Sequence, residues 1–178
     1  MKKTLWRPFV LFFLFITCFL QQQVRAADSS AVIITSTAVA SVPMQSYMKP
    51  FAAVYIDDHA ALLTDIKERN SKTFTVIQTV LVKRGVPAQL LYLAVVESKL
   101  KNTATSGAGA GGVWQLMPAT ARSLGLKVNG KTDQRRNIYQ STVAAADYLY
   151  NLYEEFDDWL LVIAAYNCGS GNVYKAIK

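Results

Sequence analysis

A glutamate at the end of an apolar run is the residue of this chain best placed for acid–base chemistry. Glu97 follows the segment Leu-Leu-Tyr-Leu-Ala-Val-Val (90–96), and Pro87 suits the first turn of a helix. Spacings of three and four residues then predict one helical face with the members Leu90, Leu93, Ala94 and Glu97. Burial and the negative end of the helix dipole would both keep this carboxyl protonated, as a general acid requires. The alternative is a last-turn glutamate that bends into water.

A segment with small residues, a tryptophan and a glutamine follows this helix. Four glycines stand between Lys101 and Pro118, but the segment lacks the Lys-Ser/Thr of a phosphate loop, and no strand precedes it. We expect the small residues to let the backbone approach a ligand or a neighbouring helix closely. Trp114 and Gln115 combine an aromatic face with an amide, a pairing that suits sugars and their acetamido groups. The alternative is a core tryptophan beside an incidental glutamine.

Tyr166 ends another apolar run, residues 160–165, so its hydroxyl needs a polar partner in the core. Glu97 is the predicted partner. The alternative is a core tyrosine whose hydroxyl binds a backbone carbonyl.

Other kinds of catalytic site are excluded by the composition. His59 is the sole histidine, and the two cysteines are Cys18 and Cys168. Zinc sites of the usual kind and Ser-His or Cys-His catalysis are therefore excluded, and we expect neither a metal nor a cofactor. Carboxylates, hydroxyls and amides are left to carry the chemistry.

The elements that must position these residues are helices. From residue 47 onward the apolar spacing is helical, and no strand pattern occurs. Helices are predicted over Tyr47–Arg69, Thr73–Arg84, Pro87–Ser98, Pro118–Gly125, Tyr139–Phe156 and from Trp159 to about Cys168, with a last one from about Gly171. Gly85 and the Asp157-Asp158 pair supply a helix end and a helix start. We predict one all-α domain over residues 47–178.

The N-terminus is typical of a secretory signal peptide. Basic residues precede a 12-residue apolar stretch, 9–20, and small residues suit cleavage near Ala26 or Ala27. The alternative, an uncleaved anchor, is disfavoured because the stretch is short for a membrane span. Loss of residues 1–26 removes four positive charges and lowers the formal charge from +7 to +3, so no nucleic-acid partner is implied. We expect export to the periplasm or cell envelope and a flexible leader over 27–46.

Four sequence blocks together identify a family. In order they are Glu97-Ser98, Ala108-Gly109-Ala110-Gly111-Gly112-Val113-Trp114-Gln115-Leu116-Met117-Pro118, Asp133-Gln134-Arg135-Arg136 with Ser141 to Ala146, and Ala164-Ala165-Tyr166-Asn167 with its glycines. From about residue 50 to 178 the chain resembles the soluble lytic transglycosylase (SLT) domain of the membrane-bound lytic transglycosylase D type.

This resemblance implies a goose-type-lysozyme-like, all-α fold with a glycan-binding groove. It also implies cleavage of the β-1,4 bond between N-acetylmuramic acid and N-acetylglucosamine in peptidoglycan, with a 1,6-anhydro ring in the product. Glu97 matches the family's single catalytic acid/base, and Ser98 matches its hydrogen-bonding neighbour. The positions that match substrate-binding residues are Ser98, Trp114, Gln115, Met117, Tyr166 and Asn167.

A single acid is unusual for glycoside cleavage, which ordinarily uses two carboxylates. Asp133, Asp157 and Asp158 stand in loop or cap contexts that predict solvated side chains. A lone acid suffices if the substrate itself supplies the nucleophile. Two alternatives stay open: a lysozyme-like muramidase that uses water, and a truncated peptidoglycan-binding protein without catalysis. Because family members continue with a segment that closes the groove, we expect a C-terminally truncated domain of reduced stability.

Overall fold

The computed structural model describes the backbone of residues 49–178 and the side chains of residues 58–178. The predicted signal peptide, 1–26, and leader, 27–46, lie outside the described residues. The α-helices are α1 (Lys49–Arg69), α2 (Ser71–Lys83), α3 (Leu91–Ser98), α4 (Pro118–Ser123), α5 (Ile138–Phe156), α6 (Trp159–Cys168) and α7 (Ser170–Ala176), with 3₁₀ turns at Ala88–Leu90 and Gln134–Arg136. This part of the chain contains isolated β-bridges but no strand, so the all-α prediction is confirmed.

The chain divides between Leu63 and Thr64 into two units, and every predicted site residue lies in the second. Among the described residues, no helix combines the length and the apolar character that crossing a bilayer would need.

Helix α5 packs against both α2 and α6 in the second unit. On α2 the buried side chains include Phe74, Ile77 and Leu81, at the spacing of one helical face. On α5 they include Ala145 and Leu149, and the small alanine lets the helices approach closely. Burial of a large apolar side chain contributes about 1.5–3 kcal/mol, so this packing stabilises the pair α2 and α5. Helix α6 packs on α5 and is thereby held in place.

The helix that carries Glu97 starts later than its sequence predicts. Pro87 has an extended ψ of 128°, and its carbonyl accepts a hydrogen bond from the Leu90 amide at 3.0 Å. The 3₁₀ turn follows, and α3 begins at Leu91. The predicted helix start at Pro87 is therefore wrong, because this proline caps the turn from outside.

The predicted helix ends and caps are confirmed at two other places. Gly85 follows α2 with a φ of 72°, a left-handed conformation that suits glycine. Asp158 precedes α6, and its carboxylate accepts a hydrogen bond from the Leu160 amide at 2.6 Å. Such a cap stabilises a helix by about 1 kcal/mol. Tyr166 lies near the other end of this capped helix.

Candidate active site

Glu97 lies in the last turn of α3 with a half-buried side chain. Burial raises the pKa of its carboxyl from 4.5 to about 7, because the ionised form loses hydration. The raised pKa agrees with the sequence prediction. A carboxyl group with this pKa is present in both protonation states near neutral pH, so it can donate a proton and later accept one.

Two consecutive left-handed residues end the helix after Glu97 and Ser98. Lys99 has a φ of 53° and Leu100 a φ of 59°, although neither is a glycine. A left-handed conformation costs such residues about 1–2 kcal/mol. The sharp turn places the Leu100 side chain in the core, whose burial offsets part of this cost. The chain thus leaves α3 abruptly, and Glu97 stays at the end of the helix.

Ser98 ties α3 to the segment that we call the glycine loop, residues 107–116. Its buried Oγ hydroxyl donates to the Val113 carbonyl at 2.8 Å and lies 3.2 Å from the Ala94 carbonyl. The sequence predicted a hydrogen-bonding neighbour of Glu97. The structure shows instead a buried hydroxyl that is bound to backbone carbonyls. Ser98 therefore holds the end of α3 against the glycine loop and does not itself contact Glu97 through its hydroxyl.

The end of the glycine loop is a closed turn. Gly111 and Leu116 exchange two backbone hydrogen bonds, of 3.0 and 3.2 Å. Gln115 has a φ of 48°, and its Nε2 group donates to the Gly112 carbonyl at 2.8 Å. The Gln115 side chain is half-buried. These bonds hold its amide in one orientation at the edge of the loop.

Trp114 belongs to the core. It has no exposed surface, and its Nε1 group donates to the Thr142 hydroxyl at 3.0 Å. The prediction that this ring stacks on a sugar is therefore wrong, and the alternative of a core tryptophan is confirmed. The indole is fixed in the core because α5 supplies a hydroxyl acceptor for its polar atom.

Tyr166 reaches the glycine loop from α6. Its hydroxyl donates to the Trp114 carbonyl at 2.6 Å, so the predicted hydrogen bond to Glu97 is wrong, and the backbone alternative is confirmed. The pKa of this tyrosine is well above its ordinary value, first because of burial and then because of its electrostatic interaction with the nearby Glu97. Glu97 is therefore a close electrostatic neighbour of Tyr166, and the tyrosine stays neutral and able to donate.

Two further predicted substrate contacts lie at the surface. Met117 is 43% exposed and directly follows the glycine loop. Asn167 is exposed, and its Nδ2 group donates to the Ile163 carbonyl at 2.8 Å within α6. Both side chains are accessible to a ligand, in contrast to Trp114.

An ion pair between the buried Arg135 and the partly buried Asp133 supports the glycine loop, and it was not predicted from the sequence. Asp133, predicted to be solvated, binds the Arg135 guanidinium through both carboxylate oxygens at 2.8 Å. Hydrogen bonds from Arg135 lower the pKa of Asp133. The signal in the sequence was the Asp-x-Arg spacing after a glycine-rich segment, which places opposite charges within one turn.

Metal-ligating clusters and cavities are two other features that can mark a functional site in the described part of the chain. Residues 58–178 contain no cluster of three or more His, Cys, Asp or Glu side chains that could share a metal ion. A cavity of about 400 Å³ lies between α2 and α5, away from Glu97, and is lined by Lys72, Thr75, Val76, Thr79, Val80, Lys83, Arg84, Tyr139 and Val143. At the site itself, Glu97 is a group that can transfer a proton near neutral pH.

Comparison with known families identifies a match over most of the second unit. The sequence profile of the transglycosylase SLT domain matches residues 75–178. This match covers more than half of the chain and includes Glu97, the glycine loop and Tyr166.

Several known proteins are similar to the same part of the chain. Membrane-bound lytic murein transglycosylase D of Escherichia coli (strain K12) is 50% identical over 97 residues, which cover 54% of this chain and 22% of that protein. The putative tributyltin chloride resistance protein of Alteromonas sp. (strain M-1) is 37% identical over 103 residues, 57% of this chain and 50% of that protein. Peptidoglycan transglycosylase gp16 of Escherichia phage T7 is 41% identical over 92 residues, 50% of this chain and 7% of that protein. The chain thus spans half or less of the length of these relatives.

Proposed function

Because the chain belongs to the transglycosylase SLT domain family, we propose that it is a peptidoglycan lytic transglycosylase. The names of the E. coli and phage T7 relatives, which refer to murein and peptidoglycan, support this substrate. The proposed reaction cleaves the β-1,4 bond between N-acetylmuramic acid and N-acetylglucosamine without water. A place in the cell envelope accords with the membrane-bound relative and with the predicted signal peptide.

The observation that carries the proposal is the half-buried carboxyl of Glu97, whose pKa is about 7. It lies where the end of α3 meets the glycine loop through Ser98, and close to Tyr166 on α6. Asp133 does not supply a second acid, because its carboxylate is bound to Arg135. A single acid with this pKa fits a reaction in which one group first gives and then takes a proton.

In the first step, protonated Glu97 donates its proton to the glycosidic oxygen. The bond between C1 of N-acetylmuramic acid and this oxygen breaks, and N-acetylglucosamine leaves with a free 4-hydroxyl. The 2-acetamido group of the substrate stabilises the positive charge that develops at C1. Partial exclusion of water around Glu97 keeps the acid protonated for this step.

In the second step, the C6 hydroxyl of the same sugar attacks C1. The ionised Glu97 takes the proton of this hydroxyl, a bond forms between O6 and C1, and the 1,6-anhydro ring closes. The acid is regenerated and no water is consumed. Because the nucleophile is part of the substrate, its proximity replaces a second carboxylate of the enzyme.

We assign the direct substrate contacts to the accessible predicted residues Gln115, Met117 and Asn167. Gln115 is held at the loop edge through Nε2, which leaves its amide oxygen to accept from an acetamido N–H or a hydroxyl. Tyr166 and Ser98 act through the loop backbone, since their hydroxyls donate to the carbonyls of Trp114 and Val113. The buried Trp114 ring anchors the loop to the core through its hydrogen bond to Thr142.

The deciding experiment is mass spectrometry of the fragments released from purified peptidoglycan. The variant Glu97→Gln keeps the shape but cannot donate the proton, so release should fall by about 10²–10⁴-fold. Glu154→Gln, an exposed site on α5, is the matched control and should retain full activity. Anhydro-muropeptides from the wild type support the proposal. Reducing-end products would show a muramidase, and binding without fragments would show a non-catalytic glycan binder.

A further inference from the structure

Arg135 is a buried cation whose three guanidinium nitrogens each donate at least one hydrogen bond. Its side chain is 8% exposed, and a buried charge is costly unless it is paired and fully hydrogen-bonded. Nε and Nη2 donate to Asp133 at 2.8 Å each. Nη1 donates to the carbonyls of Gly109 at 2.7 Å and of Leu116 at 3.0 Å. One nitrogen thus joins Gly109, which precedes the closed turn, to Leu116 at the end of that turn.

The glycine loop packs directly on this arginine. A Cβ atom on Gly111 would lie 2.9 Å from the guanidinium carbon, and one on Gly112 would overlap the Arg135 carbonyl oxygen. These two glycines are therefore required by the approach of the loop to the turn Gln134–Arg136. The predicted role of small residues in close backbone approach is confirmed here.

The neighbouring Arg136 holds the segment that precedes the loop. Its Nη1 group donates to the Thr103 carbonyl at 2.7 Å and its Nη2 group to the Thr105 hydroxyl at 2.9 Å. Asp133 also lies 3.6 Å from Arg136, so one carboxylate faces both guanidinium groups.

We propose that Arg135, oriented by Asp133, is a positioning residue for catalysis, because it fixes the loop to which Ser98 and Tyr166 are bonded. Ser98, next to Glu97, is tied to the Val113 carbonyl, and Tyr166 is tied to the Trp114 carbonyl. The location of the Glu97 carboxyl relative to Gln115 thus depends on a loop that Arg135 holds from the opposite side. This role rests on the proposed function, since it concerns the geometry of that reaction.

Lysine cannot replace arginine in this role. The planar guanidinium presents a fork of donors, which here binds two carboxylate oxygens and two carbonyls at once. A lysine ammonium has three donors around one nitrogen and cannot reach both sets. Arg135→Lys should therefore keep the charge and lose the loop geometry.

The test separates positioning from mere stability through a double variant. Arg135→Met alone leaves Asp133 without its partner and should lower both stability and activity. Arg135→Met combined with Asp133→Asn removes both charges, and such a replacement of a buried ion pair can restore stability. We expect the double variant to regain part of the thermal stability that Arg135→Met loses, while kcat stays lower by about tenfold to a hundredfold, because small displacements of catalytic groups have effects of that size. The matched control is Arg84→Met with Asp147→Asn, which removes an exposed ion pair and should leave kcat unchanged.

Two further readouts complete the experiment. Amide hydrogen exchange at Gly111 and Leu116 should accelerate in both Arg135 variants, and Arg135→Lys should fail to restore kcat. If the stabilised double variant regains full kcat, the ion pair has only a structural role, and the proposal is overturned. Unchanged exchange at Gly111 and Leu116 would overturn it equally. If the wild type releases no fragments, the proposed function itself fails, while hydrogen exchange still shows whether Arg135 holds the loop.

Discussion

The hydroxyl of Ser98 lies 2.8 Å from the carbonyl oxygen of Val113 and donates a hydrogen bond to it. This contact joins the residue after Glu97 to the glycine loop, 15 residues further along the chain. The Tyr166 hydroxyl donates to the next carbonyl of the loop, that of Trp114. Two successive carbonyls thus receive hydroxyls from α3 and α6, the helices that carry Glu97 and Tyr166.

Ser98→Ala should weaken both the fold and the reaction. The buried Val113 carbonyl would lose its donor, at a cost of about 1–3 kcal/mol in the free energy of unfolding. The end of α3 would also lose its tie to the loop, so kcat should fall. Urea unfolding and fragment release measure the two effects. Ser123→Ala removes an exposed hydroxyl bond in α4 and should change stability by less than about 0.5 kcal/mol. Equal stability of the two variants would show that the Val113 bond is absent in solution.

The rate of fragment release should fall at alkaline pH, where Glu97 loses its proton. It should not also fall at acid pH through protonation of a second catalytic carboxylate, because the proposed reaction uses only one. Glu97 must be protonated to donate its proton to the glycosidic oxygen, and burial raises its pKa to about 7. Activity should therefore fall about tenfold per pH unit well above pH 7. The measurement is the initial rate of fragment release between pH 5 and 9. A limb near pH 4.5 would contradict a desolvated Glu97.

Glu97→Gln should stabilise the protein at alkaline pH. The pKa of Glu97 is about 7 in the folded state and about 4.5 for an ordinary exposed glutamate, so the folded state binds this proton more tightly than the unfolded chain. Stability is thus lost as the pH rises from 4.5 through 7, by up to about 3 kcal/mol. Glutamine cannot ionise and escapes this loss. Thermal unfolding should show equal Tm values for wild type and variant at pH 4 and a higher Tm for the variant at pH 8. If the Tm values of wild type and variant change with pH in parallel, the Glu97 carboxyl is hydrated in solution and the prediction is contradicted.

The helices and the buried acid could be predicted because their signals are local. The three-and-four spacing around Glu97 and the cap at Asp158 involve residues within a turn of one another, and both predictions hold in the structure. The partner of Tyr166 could not be predicted, because the Trp114 carbonyl is 52 residues away. Any polar group near the site satisfies the requirement that a buried hydroxyl be bonded, so burial alone does not identify the acceptor.

The orientation of the side chains in the glycine loop could not be predicted from the sequence either. The loop has no periodicity that assigns one residue to the core and the next to the surface, so Trp114 and Gln115 were equivalent candidates for sugar contacts. The structure buries the indole because Thr142 on α5 accepts its N–H. The burial of Arg135 was missed for a related reason. Charged residues in a loop are usually solvated, and burial of Arg135 is favourable because the fold brings the Asp133 carboxylate and the carbonyls of Gly109 and Leu116 to its guanidinium.

Tyr166→Phe should lower the free energy of unfolding more than the control Tyr148→Phe does. It should lower activity less than Glu97→Gln does. Loss of the hydroxyl leaves the Trp114 carbonyl without its donor, at a cost of about 1–3 kcal/mol. The effect on kcat is indirect, through the loop, and should be about tenfold. Tyr148→Phe, whose ring lies 5.7 Å from that of Tyr166, is the matched control. If Tyr166→Phe is as inactive as Glu97→Gln with unchanged stability, the hydroxyl acts on the reacting groups instead of on the loop.

Gly112→Ala should be among the most damaging single methyl additions in the loop. Gly112 has a φ of 76°, and a Cβ atom there would overlap the Arg135 carbonyl oxygen, a backbone atom that cannot rotate away. The left-handed strain and the displacement of the loop should together lower the free energy of unfolding by about 2–4 kcal/mol. Gly107→Ala adds the same methyl in the same loop, where a Cβ atom meets nothing within 4 Å, and should be neutral or slightly stabilising. The two variants are compared by urea unfolding and by fragment release. Similar stabilities of the two variants would contradict the close packing of the loop on Arg135. A methyl group at Gly112 fits only if the loop lies further from the Arg135 carbonyl oxygen than in the structure.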